Sequence, residues 1–266
     1  MVIVFLPAYN EEEALAAVVR KFDGEFKKAG EAYRVVVLDD GSTDRTAVLA
    51  GELSKNYPLE LLRHSVNRGL GQTMIDGLKH CAGIAAAEDL IVTLDCDDTH
   101  EPKYVHGAMA KIKEGYDVVI LSRYQKDGGE RGLSRWKSFL SRGAGLFLKI
   151  FFPISGVREY SCGYRVTKAS VLQEAFRRFG ERFIRLPQMG FVATAEILIQ
   201  FRRMGCRITE APFVLNYGQK AGKSKNRPLK TIMGYFALVA IYWGRKDGRA
   251  GSAQCQRRKR ALSDVG

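Results

Sequence analysis

The sequence predicts an α/β fold with a mostly parallel central sheet and helices on both faces. Three observations predict it. Short β-branched runs alternate with segments of helical apolar spacing through the first half of the chain, the rhythm of strand–helix–strand crossovers. The residues just after those runs are unusually polar, as expected where ligands bind beyond the carboxyl ends of parallel strands. Finally, 266 residues with 46% hydrophobic and 27% charged content can bury one large α/β core or two small ones.

The strands are expected at residues 2–6, 34–38, 59–62, 90–94 and 117–121. Residues 12–29 carry Leu15, Val18, Val19, Phe22 and Phe26 on one helical face, and residues 44–53 repeat that pattern from an acidic start. Past Leu121 the rhythm loosens into a polar, Gly-rich loop over 125–135, followed by a helix over about 137–151. Residues 170–178 and 191–204 read as helices and 207–215 as a strand. A functional boundary falls near Leu121, although one continuous sheet could cross it: residues 1–122 and 123–228 are the two halves of one domain, and 229–266 form an amphipathic helix with a basic tail.

Composition narrows the partners. Lys and Arg number 42 against 29 Asp and Glu, a formal net charge of +13, which points to phosphate esters, an anionic membrane or nucleic acid. The 5 cysteines are odd in number and form no CxxC pair, so neither a disulfide framework nor a zinc site is expected and a reducing cytoplasm fits. The opening residues 1–6 lack a basic n-region, and Pro7 interrupts them too early for a signal peptide. The apolar stretch 231–243 is short of the roughly 20 residues a membrane-spanning helix needs.

Four segments carry chemistry. Pro7, Ala8, Tyr9, Asn10 and Glu11 follow the first strand, and Asp39, Asp40, Gly41, Ser42, Thr43 and Asp44 follow the second. Asn67, Gly69 and Gly71 follow the third, and Asp95, Cys96, Asp97 and Asp98 the fourth. Asp95 and Asp97 stand two apart, so an extended backbone turns both to one side. A hard divalent cation with oxygen ligands relieves their repulsion, and Mg²⁺ or Mn²⁺ bridging a diphosphate is the natural occupant. Alone, the Asp95–Asp98 segment reads equally well as a solvated helix cap, and the Asp39–Asp44 segment reads better as one, with Ser42 as cap and Gly41 as turn residue; their ordered combination does not.

Together these segments resemble the family 2 glycosyltransferases: a P-x-Y-N-E start, a D-D-G-S-x-D turn, an N-x-G-x-G segment and a D-x-D motif. The resemblance covers about residues 1–125 and implies a GT-A type nucleotide-sugar-binding domain. It implies that Pro7, Tyr9, Glu11 and Asp40 hold base and ribose, that Asp95 reaches nucleotide or metal, that Asp97 binds the metal, and that Thr99 stands beside it. The second half is similar to polyprenol-phosphate sugar transferases of the dolichol-phosphate mannose synthase type, through Arg123, the pair Gly128 and Gly129, Ser141 and Arg142, Gly163 to Arg165, and the Gly222 to Lys225 segment. Thr99, Lys137, Glu159 and Glu101 depart from that pattern. The resemblance implies a GDP- or UDP-sugar donor, a polyprenyl phosphate acceptor, inversion, and a place at the cytoplasmic face of a membrane, with or without a membrane partner protein.

The chemistry is consistent with such an acceptor. A phosphate monoester is already anionic, its second pKa being about 6, so no general base is required. Cations must instead hold two anionic groups together, and Arg123, Arg165, Lys137, Arg142, Lys223 and Lys225 are the candidates, with Ser141 beside them. His100 is placed to touch phosphate or to serve as a polar cap, and His64, His80 and His106 read as structural or solvated.

Other classes fit less well. No G-x-G-x-x-G follows the first strand, which counts against a dinucleotide oxidoreductase, and the Walker-like run from Gly218 to Ser224 is one residue short. A nucleotidyltransferase lacks its Gly-rich basic loop here. A basic binding module for RNA or membranes accounts for the charge but not for the ordered acidic motifs, so nucleic acid is not expected as a partner. A family 2 enzyme with a non-lipid acceptor, such as a cell-surface glycan, is the main alternative. Residues 229–243 place Ile232, Phe236, Val239, Ala240 and Trp243 near one helical face ahead of a basic tail, a pattern that either lies in a membrane interface or covers the domain's own core.

Overall fold

The computed structural model describes residues 1–219 and 228–243. Among the described residues the strands are β1 (Val2–Ala8), β2 (Tyr33–Asp39), β3 (Leu59–Arg63), β4 (Leu90–Thr93), β5 (Val118–Ser122), β6 (Gly129–Arg131), β7 (Arg165–Lys168), β8 (Ile208–Pro212) and β9 (Val214–Asn216). The α-helices among them are α1 (Leu15–Ala29), α2 (Thr46–Leu53), α3 (Leu70–Ile84), α4 (Val105–Lys113), α5 (Arg135–Phe151), α6 (Ala169–Phe179), α7 (Val192–Arg203) and α8 (Pro228–Tyr242).

Seven strands form one sheet in the order β3-β2-β1-β4-β7-β5-β8, in which only β7 runs antiparallel to its neighbours. Residues 2–6 of β1 are at most 2% exposed, because a central strand with helices on both faces has no wet side and reads as a continuous apolar run. Among the helices, α1 packs with α2, α3 with α6 and α7, and α8 with α5 and α7, while α4 lies on β5, β7 and β8. In α1 the buried residues are the five that the periodicity singled out, and Gly30 ends the helix at φ 65°. Since β2 lies on one side of β1 and β4 on the other, the order reverses there and opens a crevice at their carboxyl ends.

The second half departs from expectation in three places. The loop over 125–135 contains β6, which pairs in parallel with β9 as a separate two-stranded ribbon. The strand expected over 207–215 divides at Phe213 into β8, in the main sheet, and β9, in the ribbon. β7, not expected from the sequence, inserts between β4 and β5, so one sheet does cross the boundary near residue 122, as the sequence allowed. Helix starts also shift: α1 begins at Leu15 and α2 at Thr46, because the polar residues ahead of each are used in contacts between loops.

Close approach, more than propensity, dictates some glycines. A Cβ on Gly71 in α3 would stand 2.2 Å from the Pro187 carbonyl oxygen and 2.5 Å from its Cα. Gly71→Ala is therefore expected to destabilise the fold by about 1–3 kcal/mol through overpacking, outweighing a helix-propensity gain of about 1 kcal/mol. An unchanged urea midpoint would show that residue 187 yields freely.

Candidate active site

The loops after β1 and β2 are clamped by reciprocal side-chain-to-backbone hydrogen bonds. Ser42 Oγ accepts from the Asn10 amide at 2.8 Å, and Asn10 Oδ1 accepts from the Thr43 amide at 2.9 Å. Thr46 Oγ1 accepts from the Glu11 amide at 2.8 Å, and Glu12 Oε2 from the Arg45 amide at 3.0 Å. Ser42 thus serves the neighbouring loop, not a helix start. Gly41 makes the turn at φ 67°, where a Cβ would lie 2.5 Å from the Val66 carbonyl carbon.

Asp39 and Asp40 organise the next layer. Buried Asp39 accepts from the Ser42 amide at 3.1 Å and from Arg63 Nε at 3.0 Å. Asp40 accepts from the amides of Arg68 at 2.9 Å and Gly69 at 2.8 Å, and its Oδ1 lies 2.7 Å from His64 Nδ1. His64 Nε2 lies 3.1 Å from Asp76 Oδ2. The Asn67–Gly71 motif is therefore a cleft rim tied to Asp40, with Gly69 at φ 86° as its turn residue.

Beyond β4, Asp95 and Asp97 both face one cleft of about 720 Å³, together with Pro7, Tyr9, Glu11, Asp40 and Gly69. The residues that the sequence placed at the sheet edge for nucleotide and metal thus line a common space, with one exception. Thr99 is 2% exposed, and its hydroxyl donates to Asp97 Oδ1 at 2.6 Å, so it orients that carboxylate and is absent from the cleft wall. Lys21 on α1 holds the same loop through Asp98 at 2.8 Å and Glu101 at 3.1 Å, with Asp98 at φ 60°. His100 is also internal, against Tyr164 and Phe213. Among the described residues no group of three or more His, Cys, Asp or Glu gathers as a metal cage.

The antiparallel β7 brings the Gly163–Tyr164–Arg165 motif alongside. Thr93 Oγ1 donates to the Gly163 carbonyl at 2.8 Å, and a Cβ on Gly163 would lie 3.4 Å from Asp95 Oδ1. Arg165 itself departs from expectation. It is 3% exposed, donates to the carbonyls of Thr194 at 2.7 Å and Tyr160 at 3.0 Å, and burial pushes its pKa down to about 10. It braces the core beside the site instead of presenting a cation to the cleft.

A second, more open cleft of about 450 Å³ is lined by Arg123, Tyr124, Gln125, Arg142 and Arg158. Arg123 is held there by Glu159 at 2.8 and 3.0 Å and by Glu130 at 3.1 Å, and it donates to Ser141 Oγ at 3.1 Å. Burial opposes its charge, but the Glu159 carboxylate outweighs this and raises its pKa. The expectation of a guanidinium free for phosphate is thus corrected, because two glutamates already neutralise it. Arg142 lies over the Tyr124 ring at 5.7 Å, and Lys137 donates to Tyr217 OH at 3.0 Å. Lys223, Lys225 and the basic tail lie outside the described residues.

The wall formed by Pro187, Gln188, Met189, Gly190, Phe191, Lys230 and Thr231 was missed from sequence. Its only trace is glycine at contact points: Gly71 against Pro187, and Gly234, where a Cβ would meet Val192 Cγ2 at 2.3 Å.

Comparisons with known proteins agree with this layout. A dolichol-phosphate mannosyltransferase of Pyrococcus furiosus is 32% identical over 240 residues, 90% of this chain and 62% of its own length. An undecaprenyl-phosphate 4-deoxy-4-formamido-L-arabinose transferase of Pseudomonas aeruginosa is 31% identical over 206 residues, 75% of this chain and 57% of its own length. The chain therefore spans less than two thirds of the curated relatives it matches. The crystal structure of glucosyl-3-phosphoglycerate synthase from Mycobacterium tuberculosis, in complex with Mn²⁺ and UDP-glucose, shares the fold with a TM-score of 0.58 at 19% identity, covering 90% of this chain and 76% of that one. The sequence model described as Glycosyl transferase family 2 matches residues 3–176, and the chain belongs to that family.

Proposed function

We propose that this protein transfers a hexose from a GDP- or UDP-sugar to a polyprenyl phosphate at a membrane surface, with Asp95 and Asp97 holding Mg²⁺ or Mn²⁺. One observation carries the choice of a lipid acceptor: the helices that border the two clefts also present apolar faces to solvent. On α5, Lys137, Ser141 and Arg142 share the helix with Trp136, Phe139, Leu146 and Ile150, each 62–66% exposed. On α8, Lys230 and Thr231 line the acidic cleft, while Leu229, Met233 and Phe236 are 60–79% exposed. Phe147 of α5 packs on Phe236 of α8 with centroids 5.0 Å apart, joining the two stripes into one surface.

Exposed aromatics at helical spacing beside basic residues suit a bilayer interface, where the rings sit at headgroup depth. The buried side of α8 is Gly234, Tyr235, Leu238 and Tyr242; of the face identified from sequence, Ile232, Phe236, Ala240 and Trp243 are exposed, whereas Val239 packs partly against the core. No described helix is long and apolar enough to cross a membrane. The names of the two curated relatives support lipid-phosphate acceptors in the same way.

The chemistry follows from the two clefts. Tyr9, Glu11 and the rim held by Asp40 offer the base and ribose a floor, and Pro7 shapes it. Asp95 and Asp97, both lining the cleft, would hold a hard divalent cation, and Thr99 fixes one oxygen of Asp97. When bound, the cation neutralises charge developing on the departing nucleoside diphosphate. The acceptor's phosphate oxygen attacks the anomeric carbon as the bond to the diphosphate breaks, inverting that centre without a general base. Arg142 and Arg158 supply the positive field for the acceptor phosphate, Arg123 with its two glutamates fixes the floor beneath them, and Lys137 and Ser141 hold the rim.

Two outcomes are expected. Asp97→Asn, or chelation of the wild type, abolishes turnover and weakens metal-dependent nucleoside diphosphate binding by at least about tenfold; full activity in chelator would remove the cation from the reaction. The double substitution Trp136→Ser, Phe139→Ser lowers binding to anionic liposomes by at least about tenfold, since each buried ring contributes about 1.5–3 kcal/mol, and leaves soluble-donor binding unchanged. Unaltered liposome binding, with transfer to a soluble phosphate monoester, would favour a non-lipid acceptor.

A further inference from the structure

Lys230 stands out when the charges lining the acidic cleft are balanced. Four carboxylates line it, Glu11, Asp40, Asp95 and Asp97, against two described cations, Arg68 and Lys230. Arg68 is committed to Asp76, its Nη1 lying 3.0 Å from Oδ2. Lys230 is exposed and makes no hydrogen bond or ion pair among the described residues.

Its place on the helix sharpens the point. Lys230 is in the first turn of α8, where the macrodipole disfavours a cation. A lysine there gains nothing from its own helix, and an anion brought to the cleft would meet both the ammonium and the positive end of the helix. The helix is seated on α7: Gly234 lies against Val192, and Tyr242 OH donates to the buried Glu196 at 2.5 Å. Glu196 in turn accepts from the amides of Arg185 at 2.8 Å and Leu186 at 3.1 Å, the segment that leads into the missed wall.

We infer that Lys230 is a ligand of the donor's diphosphate. This rests on the donor reading proposed above and adds a protein cation to it. Cleavage of the anomeric C–O bond leaves the electron pair on the β-phosphate oxygen, so the leaving nucleoside diphosphate gains a negative charge. An ammonium at that oxygen strengthens its interaction as the bond breaks. The same helix that faces outward through Phe236 thereby holds the leaving group through Lys230.

The test is titration of the full chain, with Mn²⁺, against UDP and GDP, and separately against uridine and guanosine. Lys230→Met keeps the aliphatic stem and removes the charge. Expected are a nucleoside diphosphate affinity lower by about tenfold, about 1.4 kcal/mol, an unchanged nucleoside affinity, an unchanged melting temperature without ligand, and partial recovery in Lys230→Arg. An unchanged diphosphate affinity in Lys230→Met overturns the assignment while leaving the donor reading intact. Equal loss of nucleoside and diphosphate binding, or a lowered melting temperature, makes the lysine structural and also overturns it. Failure of the wild type to bind either diphosphate overturns both readings together.

Discussion

Two adjacent carboxylates at the end of β2 set the shape of the nucleotide-binding side. An unpaired buried ion costs several kcal/mol, so Asp39 and Asp40 each need donors, and the donors they find are the loops that form the cleft. Asp39 takes the Ser42 amide and Arg63; Asp40 takes the amides of Arg68 and Gly69 and faces His64. Hydrogen bonds to a charged acceptor contribute about 1.5–3 kcal/mol each, enough to hold irregular backbone where neither helix nor strand does so. The cleft rim is thus a by-product of satisfying charge at the crevice where the strand order reverses.

The same reasoning explains the arginines. Arg123 and Arg165 carry the motif resemblance of the second half, and both are internal, yet their solutions differ. Arg123 is matched by Glu159 and Glu130, so removing it would leave a buried carboxylate without its cation. Arg165 is met only by carbonyls, and its Nε has no partner among the described residues. Its guanidinium ties the Thr194 and Tyr160 carbonyls together and so braces the backbone around Gly163.

Legibility in the sequence followed the range of the interactions. β1, β2, β4 and β5 were readable because strands buried on both faces leave unbroken apolar runs, the edge strand β3 from its leucines around Glu60, and the ends of β1, β2 and β4 because their polar residues sit next to those runs. β7 was not readable: four residues, Arg165–Lys168, with a buried arginine at one end and a lysine at the other, carry no strand periodicity, and their place between β4 and β5 is set by pairing across the sheet. β6 is equally short, and Gly129 to Arg131 is a strand only because β9 lies beside it. The wall over 187–191 has no local signature, since it is positioned through Glu196 and by contact with Gly71. Thr99 was assigned by its neighbours in sequence, and its hydroxyl proved to serve Asp97 because a buried carboxylate takes the nearest donor.

The exposed stripes of α5 and α8 add a last constraint. On the 17-residue α5, Gly145 and Leu148 are buried and Ala144, Phe147 and Phe151 pack partly against the core, all toward its C-terminal half. Ser141 to Arg123, Ser138 to Glu130 at 2.6 Å and Lys137 to Tyr217 supply the remainder, and all three lead to residues bordering the basic cleft or the ribbon beside it. The polar side of α5 is thereby anchored by the groups proposed to meet the acceptor phosphate, leaving the side with Trp136, Phe139, Leu146 and Ile150 outward. On the proposed reading this is the arrangement a polyprenyl phosphate demands. Its chain must stay in hydrocarbon while its headgroup leaves it, and a helix polar on the inner side and aromatic on the outer marks that boundary within one helical diameter, about 10–12 Å. A soluble acceptor would place no such requirement on α5, and its outward stripe would be a cost in solubility without a compensating role.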